Sequence, residues 1–428
     1  MNKFHFKILN NQKINHIGKL TFYNKKVVST PITWFGLSII ESMEFQLEVF
    51  KQSNIEAFLS NAYDLYYFDK KNERKRLIRE LQNLNIIHKI DSGGFQLMKS
   101  EIKGNDLKFP LTPKMVLDKQ LEIGCECGVQ LDFPFAPNLT DAQKISRLDK
   151  TLENLSQTIN LIDQYGIDFT ILPVIHTISD DLDLLKYGLK KIEEILGEIP
   201  QLIGIGSLVP LVKTMKGSKK NGIASFIYAL TTLRKMLPNS FIHAFGIGGT
   251  MAYLAIFAGI DSYDSNGWIQ KAAHGVIQLP GISDRFLEKE LHNRPYLMNN
   301  RIQRNSNDPI NEIDMFMNCK CAACKPFNKE NWREEDWNVK KKAFIGREQS
   351  PKMLRSIHNV SLYQSEIILM RQAIKNNRLE HFIRNRLRNS IYFKYLGFIN
   401  YLKSQEIEDL SAFHQLLNSK EKKIAEFL

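Results

Sequence analysis

From residue 27 to residue 265 the chain alternates short apolar runs with longer stretches of helical periodicity. The runs are VVSTPITWF (27–35), AFLSNAY (57–63), HKIDSG (88–93), GVQLDF (128–133), FTILPVIH (169–176), LIGIGSL (202–208), FIHAFGIG (241–248) and IDSYDS (260–265). Each is rich in Ile, Val or Phe, the pattern of a strand buried on both faces. Between them, ERKRLIRELQNLN (73–85) sets Leu77, Leu81 and Leu84 on one helical face. TPKMVLDKQLEIG opens with Thr112 as N-cap and Pro113 at the first helical position. Thr140 and Asp141 open a helix reaching about Tyr165, Ser179 opens another, and GIASFIYALTTLRKML and TMAYLAIFAG supply two more. Eight strands with intervening helices predict an α/β fold, a (β/α)8 TIM barrel. A doubly wound open sheet is the alternative.

The pattern changes after the eighth run. Residues 280–345 are polar and read as loop-rich, and helical periodicity returns after Pro351. The implied organisation is an N-terminal extension (1–26), a barrel core (27–280), a metal-binding subdomain with a closing helix (281–375) and a basic helical tail (376–428). Cys319, Cys321 and Cys324 form a CxCxxC cluster inside the third part. Three thiolates this close suit a tetrahedral soft metal, and His358, near the start of the following helix, is the candidate fourth ligand. Cys3His is a closed set, so the expected zinc is structural. Cys125 and Cys127 lack such partners and read as buried thiols.

In a TIM barrel the chemistry sits at the C-terminal ends of the strands. Asp91 falls at the end of the third run, Asp132 the fourth, His176 the fifth, Gly206 and Ser207 the sixth, Gly246 and Gly248 the seventh, and Asp264 the eighth. Singly, each carboxylate reads equally as a turn or cap residue, and His176 as a core histidine held by a carbonyl. Three carboxylates at three strand ends point instead to one pocket. Such a set can supply a nucleophile for a sugar C1′, a proton carrier and an acceptor for a purine N–H edge.

Lys and Arg total 58 against 46 Asp and Glu, a net charge of +12. The excess fits a polyanionic partner, foremost nucleic acid, or simply a basic protein. No run approaches the length of a membrane span, the polar start lacks a signal peptide's apolar block, and the expected setting is cytoplasmic.

Four segments resemble the tRNA-guanine transglycosylases, which insert queuine-type or archaeosine-type 7-deazaguanines. They are DSGGFQ (91–96), GIDSYDS (259–265), CxCxxC with the later His358-Asn359, and NAY (61–63). The resemblance covers roughly 30–375. It implies Asp264 as covalent nucleophile, Asp91 as general acid/base, and Asp132 as the reader of the purine amino and N1 edge. It further implies that Ser92, Gly93, Gly94, Phe95 and Gln96 line the base pocket, and that Cys319, Cys321, Cys324 and His358 hold zinc. GIGSLVPL and HAFGIG are more similar to the archaeosine branch, which implies the nitrile-bearing base preQ0.

The departures shape the expected substrate. Ile175-His176-Thr177 stands where the family has V-Q-G, SNGWIQKAAHG replaces the queuine branch's C-V-x-P-T-R loop, and about 50 residues follow position 375. This pattern resembles the DNA-modifying 7-deazaguanine (DpdA-like) branch, so DNA is expected ahead of tRNA, with a homodimer or accessory modification proteins as further partners. Trp268 is read as a stacking platform for a splayed base or as core. Arg384, Arg386, Arg388 and Lys394 in the tail, and KTMKGSKK (213–220), are read as phosphate contacts or solvated surface. Two rival readings remain open: a non-catalytic nucleic-acid-binding subunit, and a zinc-dependent barrel hydrolase.

Overall fold

The computed structural model describes residues 5–9, 15–69, 72–102, 110–136, 139–176, 182–212, 222–288, 297, 301–303 and 306–406. Ser179 and the basic segment 213–220 lie outside the described residues.

All eight apolar runs contribute to one parallel sheet. Its strands are Ile32–Gly36, Ala57–Asn61, Ile87–Asp91, Cys127–Val129, Ile171–Leu172 with Val174–His176, Leu202–Gly206, Phe241–Ala244 and Ser262–Ser265. The fifth is one strand broken at Pro173, which has no amide hydrogen for the ladder. Its first half pairs with the fourth strand and its second half with the sixth. The carbonyl of Pro173 still accepts from Gly204 N–H at 2.8 Å. The two ends of the hydrogen-bonded series are therefore neighbouring pieces of chain. The sheet closes into a barrel, and the open doubly wound sheet is excluded.

The run at 27–35 is two strands rather than one. Val27–Ser29 pairs with Gly18–Thr21, which pairs with His5–Ile8, in a three-stranded antiparallel sheet. The chain turns at the cis Thr30–Pro31 peptide before the first barrel strand begins. Phe6, Leu20, Phe22 and Val28 from this small sheet share an apolar cluster with Trp34, Val129, Leu172 and Val174 of the barrel interior. The small sheet thus closes the end of the barrel opposite the strand C-termini.

The expected caps form. Thr112 Oγ1 accepts from Met115 N–H at 3.2 Å, and Thr140 with Gln143 makes a reciprocal capping box for the helix Asp141–Tyr165. Gly166 ends that helix in the left-handed conformation.

The segment after 280 is richer in regular structure than its polarity predicts. A hairpin of Val276–Leu279 and Ile282–Phe286 spans residue 280 itself. A second hairpin (Arg301–Gln303, Ser306–Ile310) and helices Glu312–Met317 and Glu334–Phe344 follow. Charged residues are buried here: Arg285 pairs with Glu312, and Lys340 Nζ donates to Phe316 O at 2.6 Å. Polar residues that serve as core read as loop in a hydropathy pattern. The helix Gln349–Lys375 accommodates Pro351 in its first turn and buries Ile357, Val360, Ile367, Met370 and Ile374.

The tail is part of the body. Leu379–Leu387 and Tyr395–Ser404 bury Ile383, Leu387, Leu396, Phe398, Ile399 and Leu402 against barrel helices. Arg386 pairs with the buried Glu366, which ties one of the four expected phosphate contacts into the protein; Arg384 makes a surface pair with Glu380, and Arg388 and Lys394 are exposed. Trp268 is core: it is fully buried, packs on Phe50 and donates Nε1–H to Gly36 O at 3.0 Å. No described helix is long and apolar enough to cross a membrane.

Candidate active site and metal cluster

Strand register levels the site. Asp91 stands opposite Asn61, Gly206 opposite His176, and Asp264 opposite Trp34. A cavity of about 760 Å³ opens at the strand C-termini, within the usual range for a small-molecule site. Asp91, Phe95, Gln96, Asp132, His176, Gly206, Ser207 and Asp264 all line it. Ser92, Gly93 and Gly94 do not; they are buried behind its wall, because the chain turns into the helix Gly94–Ile102 there. Their part is indirect. Ser92 Oγ donates to Asp132 Oδ1 at 2.6 Å, and a Cβ on Gly94 would lie 2.4 Å from that same oxygen.

Asp264 and Asp91 have opposite electrostatic settings. Burial pushes the Asp264 carboxyl up, but His243, Lys89 and the Gly246 amide outweigh it and hold the group below the usual carboxylate value. His243 Nε2 lies 3.0 Å from Oδ1, and Gly246 N–H donates to the same oxygen at 3.2 Å. Among the described residues none donates to Oδ2. Asp91 is pushed up to about 7 by burial, then by the charges of Asp132 and Asp264, with Lys89 and the Ser92 amide opposing. Asn61 Nδ2 donates to Asp91 Oδ2 and to Gln96 Oε1, both at 3.3 Å. One carboxylate is thus kept charged while its neighbour sits near neutrality, the division of labour that acid/base chemistry uses.

The third carboxylate belongs to a separate chain of contacts. Phe135 N–H donates to Ser207 Oγ at 2.8 Å, and Ser207 Oγ lies 3.1 Å from His176 Nδ1. His176 Nε2 is 3.3 Å from Asp132 Oδ2, outside hydrogen-bond geometry. The imidazole is fully buried, so its Nε2 is an unsatisfied polar atom on the cavity wall. A Cβ at Gly206 would come 2.6 Å from the Nδ1 of this ring, so glycine there makes room for the histidine.

Cys319, Cys321, Cys324 and His358 meet as expected, with their ligand atoms all within 4.8 Å of one another. His358 Nδ1 is 3.4, 3.7 and 3.4 Å from the three sulfurs. A tetrahedral zinc with bonds of about 2.3 Å to sulfur and about 2.0 Å to nitrogen demands N···S edges of about 3.5 Å. The donor set therefore fits such an ion. His358 Nε2 is fixed by Gln278 O at 2.8 Å, the outer contact that orients a ligating imidazole. The cluster lies outside the barrel cavity. Cys125 and Cys127 are buried, and burial pushes the Cys127 thiol up to about 12.

Three residues of the site carried no assigned role in the sequence reading: Asn61, quoted only within NAY, His243, quoted only within HAFGIG, and Lys89. Lys89 and His243 carried a readable signal, a titratable side chain inside an apolar strand, two positions before Asp91 in one case and three before Gly246 in the other.

Comparison with known proteins places this geometry in a family. The family model for queuine tRNA-ribosyltransferase matches residues 12–391. The chain is 27% identical over 424 residues to a tRNA-guanine(15) transglycosylase of Pyrococcus furiosus, covering 96% of this chain and 62% of that protein. It is 25% identical over 427 residues to one from Thermococcus onnurineus, covering 97% and 63%. It is 25% identical over 392 residues to one from Methanococcus aeolicus, covering 90% and 52%. The chain thus spans less than two thirds of the length of each of these relatives.

Proposed function

The chain belongs to the queuine tRNA-ribosyltransferase family, and from that premise we propose that it exchanges guanine in tRNA for a 7-deazaguanine base. The polymer departs from the sequence expectation of DNA. The relatives named above are tRNA enzymes by name, which supports RNA. The inserted base proposed is preQ0, in keeping with the archaeosine-like strand ends. The expected zinc is a structural ion held by Cys319, Cys321, Cys324 and His358.

The observation that carries the reading is the pairing of a depressed Asp264 with a raised Asp91 in one cavity. The target nucleoside leaves its stack and enters the cavity. Asp264 Oδ2 attacks C1′, and Asp91 gives its proton to the departing guanine. The incoming base returns a proton to Asp91, and its ring nitrogen displaces the ester from C1′. Asp132 accepts from the purine N–H edge, and His176, buried behind it with Nε2 3.3 Å from Asp132 Oδ2, backs that carboxylate. This constellation also argues against the rivals: a non-catalytic subunit has no use for the paired carboxylates, and a hydrolytic zinc needs an open position at the strand ends.

The test offers labelled guanine or preQ0 with bulk tRNA and with duplex DNA. Label entering tRNA is the expected result. Label in DNA alone overturns the polymer assignment, and no label in either, with no covalent adduct, favours the non-catalytic subunit.

A further inference from the structure

Behind the residues that line the cavity lies a buried amine that the exchange chemistry above does not use. Lys89 is 1% exposed and lies on the third barrel strand, two residues before Asp91 and therefore on the same face. Its Nζ is 2.6 Å from His243 Nε2 and stands over the rings of Trp34 and Phe245 at 5.0 and 5.2 Å. The same Nε2 is 3.0 Å from Asp264 Oδ1, and His243 Nδ1 is 2.7 Å from Ser262 Oγ. Barrel interiors are ordinarily filled with branched apolar side chains. A cation there is costly unless opposite charge compensates it.

We propose that Lys89 is the shared counter-cation of Asp264 and Asp91, set opposite the first across the His243 Nε2 that both approach. The inference rests on the transglycosylase reading. Its content is that the two carboxylates carry one negative charge between them at every stage, opposite one buried positive charge.

Before attack Asp264 is ionised and Asp91 protonated. Oδ2 of Asp264 forms a bond to C1′ while the bond from C1′ to the guanine nitrogen breaks and its electron pair leaves with the base. The proton of Asp91 goes to that base. Asp264 is now a neutral ester and Asp91 an anion, so the charge has moved from one side of Lys89 to the other. In the return step the incoming base gives its proton to Asp91. Its nitrogen bonds C1′, and the ester electron pair restores the Asp264 anion.

The groups facing Lys89 support this role. They are His243 and Asp264 from the seventh and eighth strands, Cys127 from the fourth and Asp91 from its own. Burial lowers the amine to about 8, against the pull of Asp264, Cys127 and Asp91. Burial and the lysine charge lower His243 to about 4. At neutral pH the proton therefore sits on Lys89 and the imidazole is neutral; its one Nε2 cannot accept from the ammonium and donate to Asp264 at once, so Lys89 acts on Asp264 by charge across the ring and not through a chain of hydrogen bonds. Lys89 touches no reacting atom, so it is a positioning residue for charge.

The experiment compares wild-type and Lys89→Met protein, both zinc-loaded, by trapping the covalent adduct on tRNA by rapid denaturation across pH. Methionine keeps the unbranched chain and removes the charge. The expected result is a loss of adduct-forming rate of roughly 100-fold at pH 7, with the acid limb of the profile moved up by about one pH unit or more. An acid limb in its original place, with the rate merely scaled, overturns the inference. Wild-type protein that forms no adduct fells the transglycosylase reading as well, so the two failures are distinguishable. A second measurement needs no change at Lys89. In Asp264→Asn the amine loses its partner, and its proton affinity in the folded state falls further. The melting-temperature deficit of this variant should then shrink as pH rises from 7 to about 10. A deficit that is flat with pH overturns the inference.

Discussion

His243 Nε2 lies 3.0 Å from Asp264 Oδ1, and it reaches that oxygen from the neighbouring strand, two residues beyond Ser262, the ladder partner of His243. The contact turns Oδ1 inward and leaves Oδ2 to the cavity. Asp264 is therefore already ionised and already oriented before substrate arrives, which is the preorganisation a nucleophile needs.

The first prediction follows from that geometry. Asp264→Ala should abolish the covalent adduct, with kcat reduced by about 10³-fold or more, while tRNA affinity changes little. Gel-shift titration beside adduct trapping checks both halves. Retained turnover would remove Asp264 from the role assigned to it.

The second concerns pH. Asp91 is raised to about 7, first by burial and then by the charges of Asp132 and Asp264. Adduct formation needs its acid form, so the single-turnover rate should fall roughly tenfold per pH unit above about 7. Resolution of the adduct by incoming base needs the anion, so that half-reaction should gain as pH rises through the same region. Asp264, held below the usual carboxylate value, sets the limb at lower pH. Two half-reactions with the same pH slope would contradict a single acid/base group serving both.

The barrel was legible because buried parallel strands announce themselves as continuous apolar runs, and because Thr112 and Thr140 stand where capping geometry needs them. The strand-end carboxylates and the cysteine cluster were legible for a related reason: their chemistry depends on residue type and spacing. What escaped depended on tertiary neighbours. Val27–Ser29 reads as one strand with Ile32–Gly36, and only pairing with Gly18–Thr21 separates them. Ser92 and Gly94 share a motif with the cavity-lining Phe95 and Gln96, yet the turn into the helix sends them behind the wall. Arg386 looks like a phosphate contact until Glu366, 20 residues away, is seen to take it.

Trp268 yields a third prediction. It fills the packing between the first barrel strand and the helix Met43–Ser53, against Phe50 and Gly36 O. Trp268→Ala should destabilise the fold by about 3–5 kcal/mol through the cavity it leaves. Trp268→Phe should retain tRNA affinity within a factor of about 2–3, because a fully buried ring has no face to offer a base. A selective loss of affinity in the stable Phe variant would restore the stacking role.

The last prediction separates a staple from a catalyst. The three sulfurs and His358 Nδ1 enclose a site for a tetrahedral ion, and His358 Nε2 ties that site to Gln278 on the hairpin beside the barrel. Removing the ion leaves neighbouring thiols half-buried or buried with nothing to hold them together. Cys324→Ser should therefore lower bound zinc from one per chain towards none and reduce the melting temperature by roughly 5 °C or more. Strong chelation of the wild-type protein should do the same, with activity lost only as the fold is lost. At a temperature where the metal-depleted protein is still folded, adduct formation should continue, since the cavity contains none of the four ligands. Loss of rate with the fold intact would place the metal in the chemistry.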